Sequence, residues 1–280
     1  MATRREIYNL LYSVASEQYE AEEAKQIAEM LILAKGGISR NELIIEPNKE
    51  LIIADLESII TELRSWRPVQ YIIGYADFRD MELMVREGAL IPRPETEELV
   101  EWIASETATS ANILDIGTGT GAIAIALSRE VNNSRVWAMD ISQEALAIAR
   151  ENGKQYAPNV TFIEGDALAD FDTLFECKFD IVVSNPPYIP QSDTEQMRKN
   201  VLNYEPSTAL FVPDDDPILF YRSIAHTARK MLKQGGKLYF EIYELLSAEM
   251  IDMLEGEGYS DITLRDDFRG KPRMICATIQ

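Results

Sequence analysis

Asn185-Pro186-Pro187-Tyr188 follows a run, Phe179-Asp180-Ile181-Val182-Val183-Ser184, that reads as a buried strand, so the tetrapeptide falls at a strand's carboxyl end. A residue before proline is kept out of the α region. That holds for both Asn185 and Pro186, and it leaves the Pro186 carbonyl few directions to point. Neither proline carries an N–H that would compete as a donor. Two acceptors remain, the Asn185 side-chain oxygen and the Pro186 carbonyl, with the Tyr188 ring beside them to stack on a flat group. Such a pair suits a substrate with an NH2 on a planar π system, either a carboxamide or the exocyclic amine of a base. That nitrogen is a poor nucleophile because its lone pair is delocalised. Acceptors favour its pyramidal form, aim the lone pair and stabilise the positive charge of attack; losing one such contact costs roughly 100- to 1,000-fold in rate. The electrophile must bring its own leaving group, and a sulfonium methyl fits that need.

A second constellation lies upstream. The apolar run Ile113-Leu114-Asp115-Ile116 leads into Gly117-Thr118-Gly119-Thr120-Gly121 and then a helical segment. Glycines let a backbone turn tightly and approach a ligand, and such loops bind nucleotides at the switch point of an open α/β sheet. Asp140 closes the next strand, where its carboxylate can accept from both hydroxyls of a ribose. Together these features indicate an adenosine-type cofactor. Gly117-x-Gly119-x-x-Ala122 also satisfies the relaxed dinucleotide fingerprint, so NAD competes on this segment alone. Asp115 either accepts backbone N–H groups of the loop or approaches the ligand, and loop support is the favoured reading.

The elements that must position these residues form a consistent pattern. From Thr3 to about Arg67, apolar residues at helical spacing (Ile7, Leu10, Leu11, Val14; Ile27, Met30, Leu31; Leu51 to Leu63) predict a helical bundle broken at Gly36-Gly37 and before Asn48. Residues 68–94 carry the short alternating runs YIIGYADF and MELMV and are expected to hold a connecting hairpin. From Glu95 onward, strands expected at Asn112–Ile116, Arg135–Met139, Val160–Glu164, Phe179–Ser184, Lys237–Ile242, Tyr259–Leu264 and Arg273–Ile279 alternate with helices. The expected architecture is therefore α/β, a Rossmann-like, mainly parallel seven-stranded sheet at 95–280 with an all-α domain at 1–67.

The 280 residues include 27 Lys plus Arg and 47 Asp plus Glu, a formal charge of −20. Such a surface repels phosphate backbones, so direct nucleic-acid binding is not expected. One histidine, His226, and two distant cysteines, Cys177 and Cys276, give no metal-site spacing. No apolar run suits a spanning helix and the N-terminal segment is too charged for a secretory signal, which predicts no membrane association and a cytoplasmic location. Arg269, Lys271 and Arg273 form a basic cluster that either meets an acidic partner or flanks a strand.

DIGTGTGAIAIAL, Asp140, GDAL at 165–168 and NPPYIP at 185–190 resemble S-adenosylmethionine-dependent methyltransferases of class I. RPVQYIIGYADFRDMELMVREGALIPRPETEELV (67–100), YEPSTAL (204–210) and RGKPRM (269–274) are similar to further signatures of the release factor glutamine methyltransferase family. The resemblance implies N5 methylation of the glutamine in the Gly-Gly-Gln motif of class 1 peptide-chain release factors, with S-adenosylhomocysteine as the cofactor product and consequences for translation termination. It implies that Gly117, Thr118, Gly119, Thr120 and Gly121 wrap the cofactor's methionine and ribose, that Asp140 holds the ribose and that Asp166 and Leu168 border the adenine. Asn185 would touch both cofactor and substrate; Asn185, Pro186, Pro187 and Tyr188 would hold the glutamine, with Asn185, Pro186 and Tyr188 catalytic. The helical domain would help engage the release factor. Leu168 stands where the family usually has a bulky aromatic, and FVPDDDP and EIYELLS depart from its pattern. Adenine-N6 methylation of DNA or RNA, and glutamine methylation of a ribosomal protein, are the competing substrate readings.

Overall fold

Thr3 starts the first helix with a capping box, its hydroxyl accepting the Glu6 N–H while the Glu6 carboxylate accepts the Thr3 N–H. In this computed structural model, which describes residues 2–280, the chain forms two units. The first takes residues up to Tyr75 together with Met197–Tyr204, and the second takes Ala76–Gln196 and Glu205–Gln280.

In the first unit, α1 (Arg4–Ala15), α2 (Ala21–Gly36), α3 (Arg40–Ile45), α4 (Leu56–Arg64) and α5 (Val69–Ile73) pack around a core that includes Leu11, Leu31, Ile32 and Leu63. Two expectations need correction. Leu51 to Asp55 is not helical: Pro47 and Lys49 carbonyls accept the Arg5 and Arg4 N–H groups, and Leu51 N–H donates to Ala2, which keeps this stretch extended along the start of α1. Those bonds satisfy first-turn donors that a helix cannot satisfy itself. The unit also runs past Arg67, because Tyr71-Ile72-Ile73 belongs to a helical turn and not to a strand. Pro68 precedes that turn and Gly74 ends it with φ 97°. Val69 and Ile72 bury against the bundle.

In the second unit, β1 (Tyr75–Phe78) and β2 (Met81–Met84) form a hairpin whose central residues Arg79 and Asp80 both have positive φ, 45° and 57°. A two-residue turn of that hand matches strand twist. There follow α6 (Pro94–Glu106), β3 (Asn112–Ile116), α7 (Ala122–Glu130), β4 (Arg135–Asp140), α8 (Gln143–Tyr156), β5 (Thr161–Glu164), β6 (Phe179–Ser184), β7 (Ile189–Pro190), α9 (Lys199–Tyr204, counted with the first unit), β8 (Phe211–Val212), α10 (Leu219–Met231), β9 (Leu232–Glu241), α11 (Ser247–Gly256), β10 (Tyr259–Asp266) and β11 (Pro272–Ile279). The seven-stranded sheet runs β10-β11-β9-β6-β3-β4-β5, with β11 antiparallel to both neighbours and the remaining pairs parallel.

Both faces of this sheet are covered. Ile113, Ile181 and Tyr239 point into one apolar cluster with α6 and α7, and Leu114, Val182 and Phe240 into another with α10 and α11. Burial on both faces explains the continuous apolar runs of the parallel strands. β9 begins at Leu232, earlier than the expected Lys237, because Leu232 pairs with Phe179 before the register shifts to Lys237 opposite Ile181. Chain order reverses direction at β3, which has β4 on one side and β6 on the other, so the loops after β3 and β6 open at the same end of the sheet.

Candidate active site

Asp115 determines how the glycine loop leaves β3. Its side chain is fully buried, and Oδ2 accepts the Thr118 hydroxyl at 2.6 Å and the Ala124 N–H at 3.2 Å. It therefore supports the loop and caps the start of α7, where carboxylates are favoured. Its other oxygen has no protein partner. Burial pushes the carboxyl up to about 7 against the opposing pull of those two donors. The Gly117 and Thr118 N–H groups both reach the Met139 carbonyl, at 2.8 and 3.0 Å, and the Gly119 N–H donates to Asp140 Oδ2 at 2.8 Å. β4 thus holds the loop that β3 launches.

Gly117 and Gly119 take φ of 72° and 56°, and a Cβ on either would meet no atom within 4 Å. Both line a cavity of about 440 Å³ that also meets Asp140, Asp166, Leu168, Asn185, Pro186 and Pro187, a size typical of small-molecule sites. The remaining loop residues stand behind it. Thr118 and Thr120 are buried, and a Cβ on Gly121 would press on Ile125 and Ala149 at 3.0 and 3.3 Å. Gly121 therefore serves the close packing of helices, and of the five loop residues Gly117 and Gly119 are the ones that line the cavity.

The acceptors and apolar walls of the cavity fit an adenosyl cofactor. Asp140 Oδ1 accepts the Ser142 N–H at 2.9 Å and Oδ2 accepts Gly119, which leaves each oxygen a lone pair for a ribose hydroxyl. Burial raises its pKa while the backbone donors lower it. Asp166 Oδ1 holds the turn through the Leu168 N–H at 2.8 Å. Leu168 and Ile141, 44% and 59% exposed, give the cavity apolar walls without an aromatic ring at position 168. Among the described residues no group of three or more His, Cys, Asp or Glu is placed to hold a metal.

At the end of β6, the Ser184 hydroxyl donates to the Ile116 carbonyl at 2.6 Å and ties β6 to β3. Asn185 Nδ2 donates to Thr96 Oγ1 at 3.3 Å. Tyr188 does not line the cavity. Its ring stacks on Tyr243 at 6.0 Å and its hydroxyl donates to Glu241 Oε1 at 3.3 Å; burial and the Glu241 charge raise its pKa. Ile189 N–H donates to the Leu210 carbonyl at 2.9 Å, and β7 pairs with β8, so the YEPSTAL segment packs beside the tetrapeptide.

Sequence reasoning missed Thr96 and Glu241. Glu241 is 1% exposed and ends a strand whose preceding residues are apolar; a lone acid at the carboxyl end of a buried strand was the available signal. The basic cluster turned out to be internally satisfied, with Arg273 reaching Asp267 at 3.3 Å and Lys271 reaching Glu244 at 2.8 Å. His226 sits on the surface with Nδ1 3.1 Å from Glu257.

A parallel sheet with one antiparallel strand near its edge, a glycine loop after the central strand and an acid ending the next define a class I S-adenosylmethionine-dependent methyltransferase. A profile described as a methyltransferase domain matches residues 113–204. The crystal structure of a methyltransferase from Pyrococcus furiosus shares this fold with a TM-score of 0.52 at 18% identity, over 71% of this chain and 89% of that one. Release factor glutamine methyltransferase from Bacteroides thetaiotaomicron is 43% identical over 264 residues, 92% of this chain and 94% of the relative. The protein of that name from Flavobacterium psychrophilum is 40% identical, covering 92% of each chain. The chain belongs to the release factor glutamine methyltransferase family, and the oxidoreductase that the loop alone also allowed is set aside. No helix among the described residues is long and apolar enough to cross a membrane.

Proposed function

We propose that the protein uses S-adenosylmethionine to methylate the side-chain amide nitrogen of the Gly-Gly-Gln glutamine of a class 1 release factor. Bound in the cavity, S-adenosylmethionine supplies a methyl group on sulfur with a neutral thioether as leaving group. Gly117 and Gly119 leave room for it, Asp140 accepts from its ribose, and Leu168 and Ile141 cover its adenine. Asn185 Oδ1 and the Pro186 carbonyl accept the two amide N–H groups and favour the pyramidal nitrogen. Tyr188 acts from behind as support for this wall, not as the stacking surface.

The observation that carries this reading is that Asn185 and Pro186 share one cavity wall with the Asp140-anchored glycine loop. An adenine amine would satisfy the same acceptors, but a charge of −20 opposes a nucleic-acid substrate, and the relatives at 43% and 40% identity are named for a release factor. We assign the helical unit a part in engaging that protein, with location in the cytoplasm where release factors act. Incubation with labelled cofactor and a release factor, or its Gln→Ala form in the Gly-Gly-Gln motif, tests the reading. Label on the first alone is expected; label on both or on neither overturns it.

A further inference from the structure

Glu241 is a buried acid at the end of β9 that the reaction does not itself require. Oε2 accepts the Thr96 hydroxyl at 2.6 Å and Oε1 the Tyr188 hydroxyl at 3.3 Å. Burying a carboxylate is costly, so it demands a compensating role. Thr96, 5% exposed, lies on the first turn of α6, and its oxygen is the acceptor for Asn185 Nδ2 at 3.3 Å. These three residues come from strand β9, helix α6 and the loop after β6.

The direction of that chain follows from counting protons. Burial raises the Glu241 pKa, against the pull of the Thr96 and Tyr188 hydroxyls and the Arg273 charge, and in the ionised form that these three favour the carboxylate only accepts. A hydroxyl has one proton, and Thr96 spends it on Glu241. Toward Asn185 it therefore offers lone pairs alone, so Asn185 must turn its NH2 to Thr96 and its Oδ1 to the opposite side. An asparagine amide has nearly the same shape either way round, and sterics alone would not choose. The reversed amide would present N–H donors to the N–H donors of a substrate amide.

We propose that Glu241, acting through Thr96, is a positioning residue that sets the orientation of the Asn185 amide and so makes Oδ1 the acceptor for the substrate nitrogen. This inference rests on the reading of Asn185 given above. Tyr188 supports it by occupying the second carboxylate oxygen with a donated proton, which keeps both oxygens in the acceptor role.

The test is kinetic. Thr96→Val keeps the side-chain shape without the hydroxyl, and kcat is expected to fall roughly 10- to 100-fold while the affinity for S-adenosylmethionine is unchanged, with Thr96→Ser restoring most of the rate. Glu241→Gln offers Thr96 either an acceptor or a donor, and a fall of roughly 3- to 10-fold is expected because only one arrangement is productive. In an Asn185→Ala background, Thr96→Val should lower kcat no further, since nothing remains to orient. Full rate for both Thr96→Val and Glu241→Gln, with Asn185→Ala impaired, overturns the inference alone. So does a Thr96→Val effect that multiplies with Asn185→Ala, since that marks a structural contribution. Full rate for Asn185→Ala instead overturns the reading beneath it. Thermal melting of each variant identifies any that fail to fold, in which case Thr96→Ser and Glu241→Gln carry the comparison.

Discussion

Arg93 and Glu205, 112 residues apart in sequence, form an ion pair of 2.6 Å in which the Glu205 side chain is 1% exposed. Glu205 also accepts the Ile91 N–H at 3.3 Å. The pair joins the segment before α6 to the YEPSTAL segment, and both border the cavity. Arg93 immediately precedes Pro94, the first residue of the helix that carries Thr96, so the pair helps fix where that helix begins.

Arg93→Ala leaves a buried carboxylate without its cation. Removing one partner of a buried pair typically costs about 3–5 kcal/mol, and about 3 is expected here because Arg93 keeps a third of its side chain in solvent. Glu205→Gln retains an acceptor for Ile91 and should cost less. Chemical unfolding of the two variants checks the order; equal stability to wild type would show that the pair is incidental.

Asp140→Ala removes the two acceptors proposed to face the ribose and the partner of Gly119. Hydrogen bonds to a charged group contribute about 1.5–3 kcal/mol each, so cofactor affinity should weaken by roughly 100-fold or more. Calorimetry reads it directly. Burial raises the Asp140 pKa, and the proposed ribose contact uses the ionised form, so wild-type affinity should decline as pH falls through that raised value. An affinity independent of both the variant and acid would remove Asp140 from the site.

Much of this site was legible because backbone conformations need particular residues. Three glycines at φ of 72°, 56° and 84° and two consecutive prolines leave few alternative readings, and the two-face burial of β3 and β6 makes them apolar throughout. The misreadings have equally local causes. Tyr71-Ile72-Ile73 looks like a strand because five residues are too few to display helical periodicity. Leu51 and Ile52 continue the helical spacing of α4, yet the extended stretch is fixed by bonds to Ala2, Arg4 and Arg5. Thr96 and Glu241 lie 145 residues apart, and no local pattern announces that a hydroxyl and a carboxylate will meet behind an asparagine. Beside an acceptor pair, Tyr188 reads as a stacking surface for a flat substrate, and nothing local signals that Tyr243, much further along the chain, takes its ring.

Gly119→Ala separates the loop's shape from its contact with ligand. The left-handed conformation at φ 56° costs an alanine about 1 kcal/mol, and the methyl meets no protein atom, so stability should change little. The same methyl enters the space assigned to the cofactor. Thermal melting should shift by only a few degrees while S-adenosylmethionine affinity falls at least tenfold. Normal affinity with a lowered melting point would place the ligand away from Gly119.

Asp115 makes the second unit's stability depend on pH in a direction unusual for a carboxylate. Its folded pKa of about 7 lies above the ordinary value of 3.8, so between those values the folded state binds a proton that the unfolded state has released. Stability is then fully present below about 4 and is lost as pH rises toward 7, with little further change above it; the shift corresponds to something of order 4 kcal/mol. Asp115→Asn keeps an oxygen for Thr118 and Ala124 but cannot ionise. Relative to that variant, the wild type should lose stability between pH 5 and pH 8, measured by urea unfolding at each pH. A difference between the two proteins that stays constant across that interval would mean that Asp115 remains charged in the fold, held by its two donors despite burial.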